Sequence, residues 1–547
     1  MNSLKPMLLT SLKSYDRTQF VKDVTAGIIV AIIALPLSIA LALASGVGPE
    51  AGIFTAIVAG FVISALGGSS VQIAGPTAAF ATIVAGIVAK DGLDGLVIST
   101  ILAGIFLILM GLCHFGSLIK FIPYTITTGF TSGIAVTIVI GQLEDFFGVT
   151  YPDGVKPIET TEKFKAFIEN ISTMNTAALI VGIVSLAILI ISPVIFKKIP
   201  GSLIAVIVGI LMVKFLPLKV STIGNLYTIS NSLPAFHLPA VNLHIIENAL
   251  PNAFTIAVLA AIESLLSCVV ADGMINGKHR SDMELVAQGA GNIASALFGG
   301  IPATGAIART AANIKNGGRT PVAGMVHSIT LVIVLVVLMP FAGMIPMPTI
   351  AAILFIVAYN MCQWRTFVHL IRTAPKSDII VLFATFILTI LFDLVVAIEI
   401  GMVLACLLFI KRMSEETHVD GWTYVDDDTP DVDAHLKKLP LQIRVYEITG
   451  PLFFGAADAI EHIVVKDFTT CLVLRMRSVP AIDSTAMNAL FNLTKVCENK
   501  GITLVFSHVN EQPMKVMEKA GFVELVGREN FCPNISAALA HAEEISI

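Results

Sequence analysis

Long apolar runs separated by short polar turns fill the first three quarters of the chain. A helix needs about 20 apolar residues to cross the hydrocarbon core, fewer where it is broken or re-entrant. The runs between turn signals predict spans at 24–44, 53–66, 73–89, 96–113, 121–141, 177–196, 202–215, 254–270, 286–298, 304–314, 322–341, 350–361, 379–394 and 396–410. That is about fourteen spans, several of them short. The pattern changes after Arg412. Residues 413–438 are polar and acidic, with VDDDTPDVD at their centre, and read as a solvated linker because no His or Cys stands at metal-ligand spacing. From 439 to 547 the signals alternate: strand-like LQIRVYEI, a short PLFF, a helix at 456–465, strand CLVLRM, a helix after Asp483, strand TLVFSH, a helix at 512–520 and a last helix at 535–544. Such alternation over about 100 residues predicts a compact α/β domain.

Composition agrees with a chain solvated mostly by lipid: 55% of residues are hydrophobic and only 13% charged, against about 25% charged in soluble proteins. A net charge of -5 without a clustered basic face argues against nucleic-acid binding. The seven cysteines stand singly, so they read as reduced and structural, and no metal or cofactor is expected. Residues 1–22 carry Lys5, Lys13, Arg17 and Lys22 ahead of a run too long for a signal-peptide core, so this segment is expected to stay on the protein. Lys and Arg gather in the connections on that same side, Arg280, Lys315, Arg319, Arg372, Lys376 and Lys411 among them. The positive-inside rule then predicts a multi-pass protein of a bacterial inner membrane with both termini in the cytoplasm.

Two of the short spans have a shared irregularity. The third opens with Gln72-Ile73-Ala74-Gly75-Pro76-Thr77-Ala78-Ala79-Phe80, the tenth with Ile301-Pro302-Ala303-Thr304-Gly305-Ala306-Ile307-Ala308-Arg309. Each is third in a set of seven. A Pro beside Gly and Thr lets a helix begin inside the membrane, leaving unpaired N–H groups and the positive dipole end facing inward. Two such starts facing one another make an anion seat, and Gly/Pro-interrupted helices in corresponding places mark transporter binding sites. Either segment alone would read as an ordinary loop-to-helix junction at the membrane surface. Arg309 stands on a stretch otherwise uncharged from Phe298 to Asn313, so it is either a functional cation or a side chain snorkelling to the cytoplasmic surface. Glu263 lies mid-span, where an ionised carboxylate costs several kcal/mol. It is therefore paired, with Arg309 as the available partner, or protonated, which suits a proton carrier. Ser267, four residues on, shares its helix face and either serves the site or back-bonds to its own helix. His327 reads as a packed, hydrogen-bonded residue, Asp393 as a membrane-edge residue, and Phe80 and Phe130 as packing.

The segments PLSIALALASGVGPEAG at 36–52, VQIAGPTAAF at 71–80, GFTSGIAVTI at 129–138, AIESLLSCVVADGM at 261–274 and GGIPATGAIARTAANI at 299–314 closely resemble the SulP family of anion transporters. GPLFFGAAD at 450–458 and AIDSTAM at 481–487 resemble its C-terminal STAS domain. The resemblance implies an α-helical polytopic fold of about 14 transmembrane segments in a seven-plus-seven inverted repeat, at about 23–217 and 252–412. It further implies a core domain moving against a gate domain, and a homodimer. Substrate would sit between the third and tenth helices, at Gln72, Thr77, Ala78, Ala79, Phe80, Thr304, Gly305, Ala306 and Arg309, with Glu263 and Ser267 serving ion coupling. A Glu at 263 resembles the proton-coupled branch, and an Asp there the sodium-coupled bicarbonate carriers, so H⁺ is the expected coupling ion and Na⁺ its alternative. The AIESLLSCVVADGM and ATGAIARTAAN segments resemble a bacterial C4-dicarboxylate carrier, which leans the substrate towards succinate, fumarate or aspartate with sulfate and bicarbonate open. In related soluble STAS proteins the Asp-Ser pair is a phosphorylation site. Asp483 and Ser484 match it, but Thr485-Ala486 replaces the usual Ser-Gly, so Ser484 reads first as a capping residue and second as a switch.

The resulting expectation is a secondary active anion transporter working by elevator-type alternating access. Its rivals are an uncoupled channel or exchanger and a membrane-tethered regulator whose STAS domain binds a cytoplasmic partner. An enzyme is not expected, because no nucleophile–base pair or metal-ligand spacing stands out.

Overall fold

A computed structural model describes residues 4–117, 123–152, 157–195, 200–216, 218–230, 232–239, 243–392, 394–421, 440, 442–457, 460, 463 and 468–546. The chain divides into two compact units, residues 1–402 and 403–547.

Apart from the short helices Leu8–Ser11, Leu143–Phe147 and Ile223–Leu226 and the loop helix Thr160–Asn170, the helices of the first unit are α1 (Arg17–Ala44), α2 (Pro49–Leu66), α3 (Ala78–Leu112), α4 (Tyr124–Gly141), α5 (Thr176–Ile195), α6 (Gly201–Phe215), α7 (Leu243–Ile275), α8 (Ser281–Leu297), α9 (Ile307–Lys315), α10 (Val322–Ala342), α11 (Met347–Cys362), α12 (Trp364–Thr373), α13 (Lys376–Leu391) and the start of α14 (Leu394–Glu415). Two-residue strands β1 (Ala74–Gly75) and β2 (Thr304–Gly305) precede α3 and α9. Among the described residues, eight helical stretches are long and apolar enough to cross a membrane. Alpha3 covers two of the predicted spans, broken at Gly92, whose φ of 71° only glycine adopts without strain. Split there, the helices labelled α1–α14 fall into two sets of seven once the amphipathic α12 is set aside.

The two sets pack as inverted copies. Alpha7 packs on α3 as α10 packs on α1; α8 packs on α3 as α10 packs on α2; α11 packs on α5 as α13 packs on α4. Lipid offers no hydrophobic drive between helices, so close approach depends on small residues. Gly104 of α3 and Gly289 of α8 each leave room for the other's backbone, and Gly324 of α10 leaves room for the Ser64 side chain of α2. Helices α1–α3 and α7–α10 thus form one bundle around the β1–β2 pair, and α4–α6 with α11 and α13 form a second. The loop between α7 and α8 is locked by His279, whose ring lies between Asp272 (2.7 Å) and Ser281 (2.9 Å). Buried Asp23 of α1 accepts from Thr320 Oγ1 and from the backbone N–H of Arg319, holding the turn that leads into α10.

In the second unit α14 continues to Glu415 and is followed by β3 (His418–Gly421), β4 (Ile443–Thr449), β5 (Cys471–Ser478), α15 (Ser484–Asn499), β6 (Thr503–Ser507), α16 (Glu511–Lys519), β7 (Phe531–Cys532) and α17 (Ile535–Ser546). The sheet runs in chain order, β3 antiparallel to β4 and the rest parallel. The expected linker at 413–438 is therefore helix and strand as far as Gly421, and residues 422–438 lie outside the described ones, as do most of the helix expected at 456–465 and Asp393. PLFF supplies only a single bridge, Leu452 to Ile482. Beta7 was not expected, because two residues carry no readable period.

Asp483 is the N-cap of α15. Its carboxylate accepts from the N–H of Ala486 (2.9 Å) and of Phe454 (2.9 Å). Ser484 follows it at the first helical position, exposed. The capping role thus belongs to Asp483. An Asp483→Ala variant loses both bonds and should destabilise this helix start by about 1–2 kcal/mol, read as faster hydrogen exchange in residues 484–499 of the full-length protein.

Candidate functional site

Two stretches of non-helical backbone run into the interior of the first unit, and every such group away from water needs a partner. Side chains supply many of them. After α2, the N–H groups of Gly68 and Ser69 donate to Glu284 of α8 (2.9 and 3.2 Å), the Ile73 N–H donates to Thr310 Oγ1 (3.1 Å), and the Val71 carbonyl accepts from Asn313 (2.8 Å). After α8, the Ile301 N–H donates to Thr55 of α2 (2.7 Å), and Asn292 both accepts from Ala303 N–H (2.8 Å) and donates to its carbonyl (2.9 Å). So supported, the two stretches meet. Beta1 pairs antiparallel with β2, Ala74 opposite Gly305 and Gly75 opposite Thr304, and the Ala306 N–H extends the ladder to the Ile73 carbonyl (2.9 Å).

Alpha3 begins three residues beyond Gly75 and α9 one residue beyond Ala306, so both helix starts lie at this crossing. Neither N-cap residue, Thr77 or Ala306, caps its helix through the side chain. The first-turn N–H groups of Ala78, Ala79, Ile307 and Ala308 are thus left to a ligand or solvent. They present partial positive charge at one place.

Arg309 brings a full charge. Its side chain is 2% exposed and donates through Nη2 to Ser38 of α1 (3.2 Å) and to the Pro76 carbonyl (3.2 Å), while Nε and Nη1 have no hydrogen-bond partner. That geometry replaces the snorkelling alternative. Glu263 reaches the crossing from α7, where Thr77 Oγ1 donates to its Oε2 (3.1 Å). Among the described residues no ion pair joins Glu263 to Arg309, so the paired alternative is not the arrangement found. Anionic and cationic groups therefore stand separately at one site, a carboxylate that can carry a proton and a guanidinium that can hold an anion.

Of the remaining residues singled out in the sequence, Thr304 and Gly305 are buried in β2 and tied to Ser264, Thr304 through its hydroxyl (2.8 Å) and Gly305 through its N–H (3.1 Å). Ala78, Ala79 and Phe80 form the buried first turn of α3, and Ala306 stands at the N-cap position of α9 without a side chain able to cap it. Ser267 donates to Thr310 (3.5 Å), away from Glu263, and so braces the crossing. Gln72 is likewise behind it: its amide donates to Glu284 (2.8 Å) and accepts from the Cys268 thiol (2.8 Å). Ser38 and Ser264 were not singled out. Ser38 lies in the quoted PLSI segment and Ser264 beside Glu263, but a lone serine in an apolar span looks like any back-bonding hydroxyl.

Gly75 leaves the space that the Arg309 guanidinium occupies at the crossing, because a Cβ there would run into Nη1 and push it aside. Gly75→Ala should displace the guanidinium from Ser38 and lower anion uptake by about 10- to 100-fold while leaving the thermal unfolding of the purified protein within a few degrees of wild type.

The first unit matches the model of the sulfate permease family over residues 20–385, and residues 437–538 match the STAS domain. The chain belongs to the sulfate permease family. Its relatives include YvdB of Bacillus subtilis, whose name places it provisionally among sulfate transporters, 39% identical over 95% of this chain and 97% of that one. The bicarbonate transporter BicA of a Picosynechococcus species is 31% identical over 95% and 94%. The fold matches the structure of the murine solute carrier 26 family member A9 anion transporter, with a TM-score of 0.87 at 19% identity over 99% of this chain and 94% of that one. It also matches the transmembrane domain of a cyanobacterial BicA, with a TM-score of 0.62 at 29% identity over 72% and 98%. The sulfate permease assignment makes the chain a multi-pass membrane anion transporter with a C-terminal STAS domain, and not an enzyme. The relatives named here are sulfate and bicarbonate transporters, so the narrower likeness to C4-dicarboxylate carriers stands on the two short segments alone.

Proposed function

We propose that this protein is a secondary active transporter that takes up small anions, coupled to protons and with C4-dicarboxylates such as succinate, fumarate or aspartate as substrates. The observation that carries the reading is the β1–β2 pair, which brings two uncapped helix starts and a buried guanidinium to one point. An anion docks on the N–H groups of Ala78, Ala79, Ile307 and Ala308 beside Arg309, where dipole ends and cation act together. Glu263, held by Thr77, takes up the proton that offsets the anion's charge. The bundle of α1–α3 and α7–α10 then carries the site past the second bundle, by an elevator-type movement in a homodimer. The protein works in a bacterial inner membrane with both termini in the cytoplasm. Na⁺ in place of H⁺ would use the same carboxylate. Exposed Ser484 at the start of α15 is the position at which a kinase could add charge to the STAS domain, or around which a cytoplasmic partner could bind.

The names of the relatives favour a second reading, in which sulfate or bicarbonate is the cargo of the same site. Radiolabelled uptake into proteoliposomes, comparing succinate, fumarate, aspartate, sulfate and bicarbonate with and without an inward proton gradient, separates the two. Faster gradient-driven uptake of the dicarboxylates supports the proposal. Uptake of sulfate or bicarbonate alone transfers the site to the second reading, and no uptake of any of them removes both.

A further inference from the structure

One titratable ring in the first unit has no place in the mechanism above. His327 of α10 is 0% exposed, as its apolar span suggests, yet neither ring nitrogen has a hydrogen-bond partner. The expectation of a hydrogen-bonded histidine is met only in its burial. A neutral imidazole carries one donor and one acceptor, and buried polar atoms left without partners point to an internal water or ion. Arg309 shows the same deficit at Nε and Nη1, while its Nη2 is bonded to Ser38 and the Pro76 carbonyl.

The two deficits lie in one neighbourhood. Ser328, next to His327, donates to the Ala56 carbonyl of α2 (3.1 Å). A Cβ built on Gly75 would meet Arg309 Nη1 first and Ala56 Cα at 3.6 Å. A Cβ on Gly27 of α1 would meet Ala323 and Val326 of α10, whereas Gly324 and Ser328 face α2, so His327 lies on the side of α10 between α1 and α2; Arg309 reaches the same two helices, with Nη2 on Ser38 of α1 and Nη1 beside Gly75 and Ala56 of α2. The hydroxyl of Ser64 of α2, which Gly324 of α10 faces three residues before His327, is a further buried polar group without a partner.

We propose that Arg309 and His327 share a buried water site behind the β1–β2 crossing, and that His327 is a positioning residue that steadies Arg309 through it. The chemistry selects water. Arg309 offers only donors, so the guest must accept from it; the bare ring nitrogen is an acceptor, so the guest must also donate. Water does both, and an anion without a proton, such as sulfate or a halide, cannot donate. Held from behind, the guanidinium keeps Nη2 on Ser38 and the Pro76 carbonyl, facing the helix starts. This inference rests on Arg309 being the charged contact of the transported anion.

The test uses the full-length protein in lipid nanodiscs. A map fine enough to resolve waters should show a peak within hydrogen-bond distance of a His327 ring nitrogen and of Arg309 Nε or Nη1, unchanged between sulfate, bicarbonate and succinate buffers. No peak, or a peak that strengthens when bromide replaces the buffer anion, overturns the water site. In binding assays with sulfate, bicarbonate and succinate, H327Q, which keeps a donor and an acceptor, should bind within about twofold of wild type, and H327L about tenfold more weakly. H327L binding as tightly as wild type overturns the positioning role. An R309Q control that binds as tightly as wild type refutes the reading of Arg309 itself, while the water peak still decides the site. Should H327L fail to fold, or no anion bind, the presence or absence of the peak in the wild-type map upholds or overturns the proposal.

Discussion

Replacing Arg309 with Gln is expected to lower anion uptake by about 100-fold or more, the loss of about 3 kcal/mol that follows from removing a charge-assisted contact in a water-poor site. Arg309→Lys should recover only part of this, remaining about tenfold below wild type, because one ammonium cannot reach Ser38, the Pro76 carbonyl and an anion at once. The decisive companion is Arg309→Met. A buried cation without an ionic partner is expensive to keep, so its replacement by an apolar chain of similar length should leave the purified protein as heat-stable as wild type, or more so. An inactive but stable Arg309→Met protein means that the guanidinium serves the ligand. An active one, or one that loses stability and activity together, makes Arg309 a structural residue and removes the positive side chain from the proposed site.

Glu263→Gln is expected to abolish the pH response of uptake without abolishing binding. The Thr77 hydroxyl can still donate to the amide oxygen, so the local geometry is kept while the proton site is lost. If each anion enters with a proton, acidifying the outside of wild-type proteoliposomes raises uptake and acidifying the inside lowers it. In Glu263→Gln both slopes should flatten, and Glu263→Asp, which still titrates, should restore part of them. A sodium gradient that drives wild-type uptake while a proton gradient does not would assign the carboxylate to Na⁺. A pH response unchanged in Glu263→Gln would take the residue out of coupling altogether.

Much of the fold was legible because lipid enforces it. Spans must be apolar and of fixed length, so the run at 322–341 matches α10 to within one residue at each end and the run at 24–44 ends where α1 ends, although α1 starts seven residues earlier at Arg17, in the polar segment ahead of the apolar run. The crossing was legible for a related reason: Gly75-Pro76 and Pro302 through Gly305 are breaks that a continuous membrane helix does not carry, and the structure pairs them. The direction of individual side chains was not legible. Gln72 and Ser267 lie in the right segments, but side chains on a strand alternate, and those on a helix advance about 100° per residue, so neighbours in sequence turned to opposite sides. Gln72 went to Glu284 and Cys268, Ser267 to Thr310. The polar residues that brace the broken backbone, Asn292, Asn313 and Thr55, were passed over because their partners are main-chain atoms elsewhere in the chain, which no local pattern discloses. In the second unit β3 was hidden by the acidic run that follows it, since four residues of HVDG show no alternation.

The most direct test is to locate the anion itself. A map of the full-length protein in nanodiscs, saturated with whichever anion of the uptake panel is transported fastest, should show density between the starts of α3 and α9, within hydrogen-bond distance of the N–H of Ala79 or Ala308 and beside the Arg309 guanidinium. Bound anion density at any other place in the bundle, with this crossing unoccupied under saturating conditions, would contradict the proposed site.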